Sequence, residues 1–269
     1  MVDAAPGTFS WIRGEVHADV VIGIVALAAA YTWATVASRR PAPLPGPIAF
    51  FAGCAAMLLA LNGPLHDLSD SYLFSAHMVQ HLILTLVVPP LWLAGTPGWM
   101  IDALVARAAR WRAVDASLRW VTRPLPAFTI YAVALVAWHL PRPYNAALEH
   151  HAWHVVEHLV LIGASVLGWW PIVSQSTRLP ALPYAGQVLY LFVFGIPMTV
   201  VAAMVTAAED ALYPLYAAAP RVFEQLTPLA DQRLGGLIMW VPAGIIPVVA
   251  FTVVFFRWAA AEREVEDSA

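Results

Sequence analysis

Apolar residues in this chain come in long, nearly uninterrupted runs divided by short polar segments, with no two-residue alternation and no narrow helical stripe. A bilayer core about 30 Å thick needs roughly 20 apolar residues of helix to cross it. Seven runs meet that length, at about 18–38, 47–65, 72–94, 124–140, 152–173, 184–207 and 234–258. The predicted fold is therefore all-α: a polytopic membrane protein of seven transmembrane helices, forming one helical-bundle domain over 1–269. Between the third and fourth runs, a segment at about 99–122 sets Trp99, Trp111 and Trp120 among Arg and apolar residues. It predicts an amphipathic helix lying on an anionic lipid surface, although a topology signal with interfacial Trp reads the same way. Helix breakers fall inside three runs. Pro89-Pro90 should end or bend the third, Gly195 and Pro197 break the sixth, and Pro242, Gly244 and Pro247 interrupt the seventh.

Composition agrees: 61% of the 269 residues are hydrophobic and only 12% charged, against about 25% in soluble domains. All 14 basic residues are Arg, set against 17 acids for a net charge of −3, and no basic patch invites nucleic acid. Cys54 is alone, so neither a disulfide framework nor a cysteine metal pair is available. The first run follows Glu15 and Asp19 and closes at Arg39-Arg40, which predicts a retained span, not a cleaved leader. Positively charged loops stay on the cytoplasmic side. With the N-terminus outside and the C-terminus inside, the inner segments hold Arg39, Arg40, Arg107, Arg110, Arg112, Arg119, Arg123, Arg178, Arg257 and Arg263. Only Arg13, Arg142, Arg221 and Arg233 are left outside, which selects that orientation.

On this topology eight of the nine histidines fall at the outer ends of the spans. His66 ends the second, His77 and His81 occupy the outer half of the third, and His139 ends the fourth. His150, His151, His154 and His158 open the fifth, while His17, before the first, stands apart. Helical residues four apart share a face, so His77/His81 and His154/His158 can each present two imidazoles to one point, and His151 extends the second stripe. Imidazole is the commonest metal ligand, and ionisable groups at membrane depth are expensive to keep without a role. A lone histidine at a helix end, such as His66, His139 or His150, is ordinarily interfacial, and one pair alone is explained by interhelical hydrogen bonding. Two pairs at one depth favour a metal centre, with His77, His81, His139, His154 and His158 as ligands and His66 and His151 as further candidates. Met78, Met204 and Met239 reach the same layer, and thioether with imidazole suits copper, Cu(I) in particular and Cu(II) also. Singly, each Met is ordinary core filler. Glu157 is placed to orient an imidazole, and Asp231 to cap the seventh span. Neutral imidazole is the binding form, so occupancy should fall as pH drops through about 6.5.

Particular strings then become informative: Phe74-Ser75-Ala76-His77-Met78-Val79-Gln80-His81, Pro89-Pro90, Trp138-His139-Leu140-Pro141, His154-Val155-Val156-Glu157-His158, Tyr213-Pro214-Leu215-Tyr216 and Asp231-Gln232-Arg233-Leu234-Gly235-Gly236. From about Gly63 to Trp240 the chain resembles the CtaG family of cytochrome c oxidase assembly factors, the seven-helix kind. The resemblance implies a non-enzymatic protein of the bacterial inner membrane that supplies copper to a haem–copper oxidase. Its partners would be oxidase subunits, a periplasmic copper donor and membrane lipid. The family's histidines match at His77, His81, His139, His154 and His158, while His66, His150 and His151 lie outside the motif. Three alternatives stay open. His154-x-x-Glu157-His158 has the spacing of inverzincin zinc peptidases, histidines on two helices can ligate haem with Arg142 or Arg233 near its propionates, and a metal-free scaffold for oxidase subunits needs no ligand at all.

Overall fold

The computed structural model describes residues 9–12, 14–40 and 43–268. Arg13, counted above with the outer charges, lies outside them, as does the side chain of Asp267 in the acidic tail. Among the described residues every regular element is helical: α1 (Ala18–Ser38), α2 (Pro45–Ala60), α3 (Gly63–Ser71), α4 (Phe74–Gly95), α5 (Gly98–Ala108), α6 (Arg112–Val121), α7 (Pro124–His139), α8 (Pro141–Glu149), α9 (His151–Val173), α10 (Tyr184–Ala207), α11 (Pro214–Ala218) and α12 (Pro228–Ser268). α1, α4, α9, α10 and α12 are each long and apolar enough to cross a membrane, and the protein is a multi-pass membrane protein. Two bent pairs, α2 with α3 at 48° and α6 with α7 at 77°, bring the spans to seven if each pair crosses as one.

α4 is the centre of the bundle, packed by α2, α9 and α12, while α10 packs along α12 and α7 along α9. α1 leans on α2 and buries only Ile24 and Tyr31. One large apolar cluster, including Phe74, Leu86, Tyr131, Trp169, Phe194 and Val201, joins α4, α7, α9, α10 and α12.

Local chemistry explains where the elements depart from the sequence pattern. The predicted run at 47–65 crosses a real bend, because α2 stops at Ala60 and α3 starts at Gly63. Gly63 has φ 71°, the left-handed region that glycine enters without steric cost, and its N–H donates to the Glu15 carbonyl at 2.9 Å. Pro89 and Pro90 do not end α4. A π-helical turn at Ile83–Val87 precedes them, and the helix continues to Gly95. Proline 89 has no N–H for the carbonyl of Thr85 four residues back, and that carbonyl instead accepts the Trp169 indole N–H at 3.1 Å. Gly195 separates the two halves of α10, as expected. Pro242, Gly244 and Pro247, by contrast, interrupt nothing: α12 is one helix of 41 residues. In lipid a helix has no water to satisfy a freed backbone group, so continuing past a proline is cheaper than opening.

The amphipathic segment is two helices, α5 and α6, with Trp111 and Trp120 more than half exposed. A latch ties α5 to the loop after α9. Asp102 accepts from the Ser176 and Thr177 hydroxyls at 2.5 Å each and from the Thr177 and Arg178 N–H groups at 3.2 Å. Burial alone would raise the pKa of its carboxyl, and the four donors together outweigh that and lower it to about 2. The opposite end of the bundle collects the histidines.

Candidate metal centre

Asp231 sets the start of α4. It was expected to cap its own helix, but α12 already begins at Pro228, and the carboxylate reaches across to accept the Phe74 N–H at 2.7 Å and the Ser75 N–H at 3.2 Å, with the Ser75 hydroxyl at 2.5 Å. It thus fills the N-cap role that Leu73 cannot, and fixes the rotation of the helix carrying His77 and His81.

One turn on, His77 is fully buried. Its Nδ1 lies 2.7 Å from the Tyr216 hydroxyl and 3.3 Å from the Ser69 carbonyl, and Tyr216 itself donates to that carbonyl at 2.5 Å. With the tyrosine proton so committed, Nδ1 must carry the hydrogen, leaving His77 Nε2 as a lone pair. His139 is held the same way, its Nδ1 donating to the Leu135 carbonyl at 2.7 Å, so its Nε2 is also a lone pair. Between them stands His81, with Nε2 2.7 Å from His77 Nε2 and Nδ1 3.5 Å from His139 Nε2. A neutral imidazole has one N–H and cannot serve both acceptors. One of the two lone pairs is therefore left without a donor.

α9 supplies the facing wall. The spacing 154, 157, 158 puts His154, Glu157 and His158 on one helix face, and all three are buried while Trp153, Val155, Val156 and Leu159 point outward. The rings of His154 and His158 have centroids 4.4 Å apart, and His77 stands 5.6 and 6.1 Å from them. Two donor triads result, His77/His154/His158 and His77/His81/Glu157, each with ligand atoms within 4.8 Å of one another. Donors sharing an ion with bonds of about 2.0–2.1 Å stand no more than about 4.2 Å apart, so side-chain shifts of under about 1 Å would close either triad. Both oxygens of Glu157, His154 Nε2 and His158 Nε2 are buried with no hydrogen-bond partner among the described residues. Buried polar groups are normally paired, and these orphans converge where a metal would pair them. Glu157, expected to orient an imidazole, brings an oxygen to 3.8 Å from His81 Nε2, and it is also one of the three donors of the second triad.

The remaining candidates divide. His139 touches His81 but belongs to neither triad. His66 is buried at the edge, its Nδ1 accepting from Gln80 Nε2 at 3.0 Å and its Nε2 lying 3.6 Å from Asp70. His150 and His151 are exposed. Met78 and Met239 are core residues of the large apolar cluster and Met204 packs against it, so packing accounts for all three. Sequence reasoning missed Tyr216, Asp70 and Gln80, and set His17 apart, yet the His17 ring lies 4.3 Å from that of His66. An outside N-terminus already places His17 at this end, and Tyr216 lies in one of the quoted strings.

Comparisons with known proteins show the family. The family described as cytochrome c oxidase caa3 assembly factor (Caa3_CtaG) matches residues 29–261. Among curated proteins, uncharacterized proteins of Mycobacterium bovis and Mycobacterium tuberculosis are each 24% identical over 287 residues, covering 97% of this chain. One of Mycobacterium leprae is 21% identical over 274 residues, covering 92%. The chain spans 42% of the length of the first two and 40% of the third. No solved structure matches. The match takes in every helix from the middle of α1 to the last turns of α12, and with them both histidine pairs: the chain belongs to the family of caa3-type cytochrome c oxidase assembly factors.

Proposed function

We propose that this assembly factor binds copper at the outer end of its helix bundle, as cargo, and supplies or inserts it into a haem–copper oxidase. The observation carrying the proposal is the convergence of imidazoles from α4 and α9 around Glu157, whose carboxyl has no other partner. His77, His81, His154, His158 and Glu157 would hold the ion, with His139 and Tyr216 fixing ring orientation. Imidazole suits copper in either oxidation state, and a carboxylate shifts preference toward the divalent ion. Haem fits poorly, because the His77 and His81 rings are only 4.2 Å apart and would crowd one side of a macrocycle. On this reading seven spans cross a bacterial inner membrane with the N-terminus outside and the histidine end facing the periplasm, where a copper donor and the oxidase subunits can reach it. The whole chain acts as one bundle domain that loads and releases an ion and turns over no substrate.

Elemental analysis of purified protein tests this. Wild type should carry copper, and His77→Ala/His81→Ala and His154→Ala/His158→Ala should each lose most of it. Protons compete for the same lone pairs, so the wild-type copper should be released as pH falls through about 6.5 and below. Equal copper in all three proteins rejects the ligands. Copper-free wild type that still supports oxidase maturation establishes the scaffold reading instead.

A further inference from the structure

Between α1, the α2–α3 bend and α9 lies a cavity of about 260 Å³. Its walls are largely apolar, from Leu27, Met57, Trp92 and Ile162, yet one end is lined by His17, His66, His151, His154 and His158. Three of these, His17, His66 and His151, lie in neither triad. His151 is exposed at the surface and His17 partly exposed, while His66, His154 and His158 are buried.

We propose that this cavity is a loading port, in which His17, His66 and His151, with Asp70 behind them beside His66, capture a transition-metal ion and pass it inward to the cluster through His154. The inference rests on the metal-binding reading above. His66 Nδ1 accepts from Gln80, whose amide nitrogen also donates to the Ala60 carbonyl, so the His66 hydrogen is on Nε2 and faces Asp70. That holds the carboxyl of Asp70 in place. Its Oδ1, 3.4 Å from His154 Nδ1, has no hydrogen-bond partner, and neither has the buried Nε2 of His17. His154 is therefore two-sided: Nδ1 meets the port carboxyl, and Nε2 is left for the buried triad. The steps are short, with ring centroids 4.3 Å from His17 to His66, 6.4 Å from His66 to His154 and 4.4 Å from His154 to His158. Imidazoles with one carboxylate select a borderline transition ion over magnesium or calcium, which need a shell of six or more oxygens.

The test separates rate from capacity, using the full chain in micelles with Cu(II) as probe. A Cβ at Gly23, on the α1 wall of the cavity, meets nothing within 4 Å, so Gly23→Phe adds bulk at the port while leaving every histidine in the sequence. Gly163 on α9 is equally free and lines no part of the cavity, so Gly163→Phe is the matched control. By stopped-flow, Gly23→Phe should load about tenfold or more slowly while binding as much copper at equilibrium, His17→Ala/His66→Ala should also load slowly, and Gly163→Phe should load at the wild-type rate. Wild-type rates in both port variants, or equal slowing in the control, overturn the port alone. A His77→Ala/His81→Ala protein that binds as much copper as wild type overturns the underlying reading.

Discussion

Tyr216 and Leu135 are not ligands, yet they decide which nitrogens His77 and His139 can offer. A carbonyl accepts only, so each ring is locked with its hydrogen on Nδ1 and its lone pair toward His81. Glu157 is the costly member of the set, since a buried carboxyl with no hydrogen bond, and only the His81 ring 3.8 Å away, loses its hydration and regains little. Function and stability should therefore pull apart at this residue. Glu157→Gln should raise the stability of the metal-free protein by about 1–3 kcal/mol and weaken copper binding roughly tenfold or more. Thermal unfolding with and without copper checks both, and a metal-free variant less stable than wild type would mean that Glu157 has a structural partner. The residue pattern was legible in one sequence because a four-residue spacing has a direct helical meaning. His17 was not, since its neighbour His66 is 49 positions away, and hydrogen bonds from the segment before α1 to the α2–α3 bend join them, the His17 N–H to Asn62 and the Gly63 N–H to the Glu15 carbonyl. The methionines, each also readable as core filler, were ambiguous for the opposite reason. Depth along a helix is readable, but the face is not, and Met78 sits one residue from His77 on the face that packs into the apolar cluster.

At the scale of elements, the long helices were readable because twenty apolar residues have one outcome in lipid. The short ones were not. α3 and α8 are nine-residue helices of mixed polarity, and whether Gly63-Pro64 continues α2 or turns it depends on the Glu15 carbonyl meeting the Gly63 N–H. Those short helices matter, since α3 carries His66 and Asp70. The same helix ends state the proposed orientation in testable form. Cys54 is buried, so the native chain gives little background for thiol labelling. Glu149→Cys, at the exposed end of α8, should react with a membrane-impermeant maleimide in intact spheroplasts, and Arg119→Cys on exposed α6 should react only after lysis. The reverse pattern would put the histidines on the cytoplasmic side and end the proposal of periplasmic delivery.

The whole molecule has two unlike ends. One is held by apolar packing and the Asp102 latch, with arginines and half-exposed tryptophans at its surface. The other buries His66, His77, His81, His139, His154, His158, Glu157 and Asp231 within a few turns of one another. Only packing of separate helices makes a centre of that second end, and this is the part a linear pattern cannot reach: α4 is turned by Asp231 from α12, 157 positions from the Phe74 N–H it caps. The most direct measurement is X-ray absorption at the copper edge of the loaded protein. Several imidazoles in a nitrogen and oxygen shell near 2.0 Å, with no sulfur and with the imidazole signal reduced in His154→Ala/His158→Ala, is the predicted result. A sulfur-dominated shell, or an imidazole signal unchanged in that variant, would contradict the account.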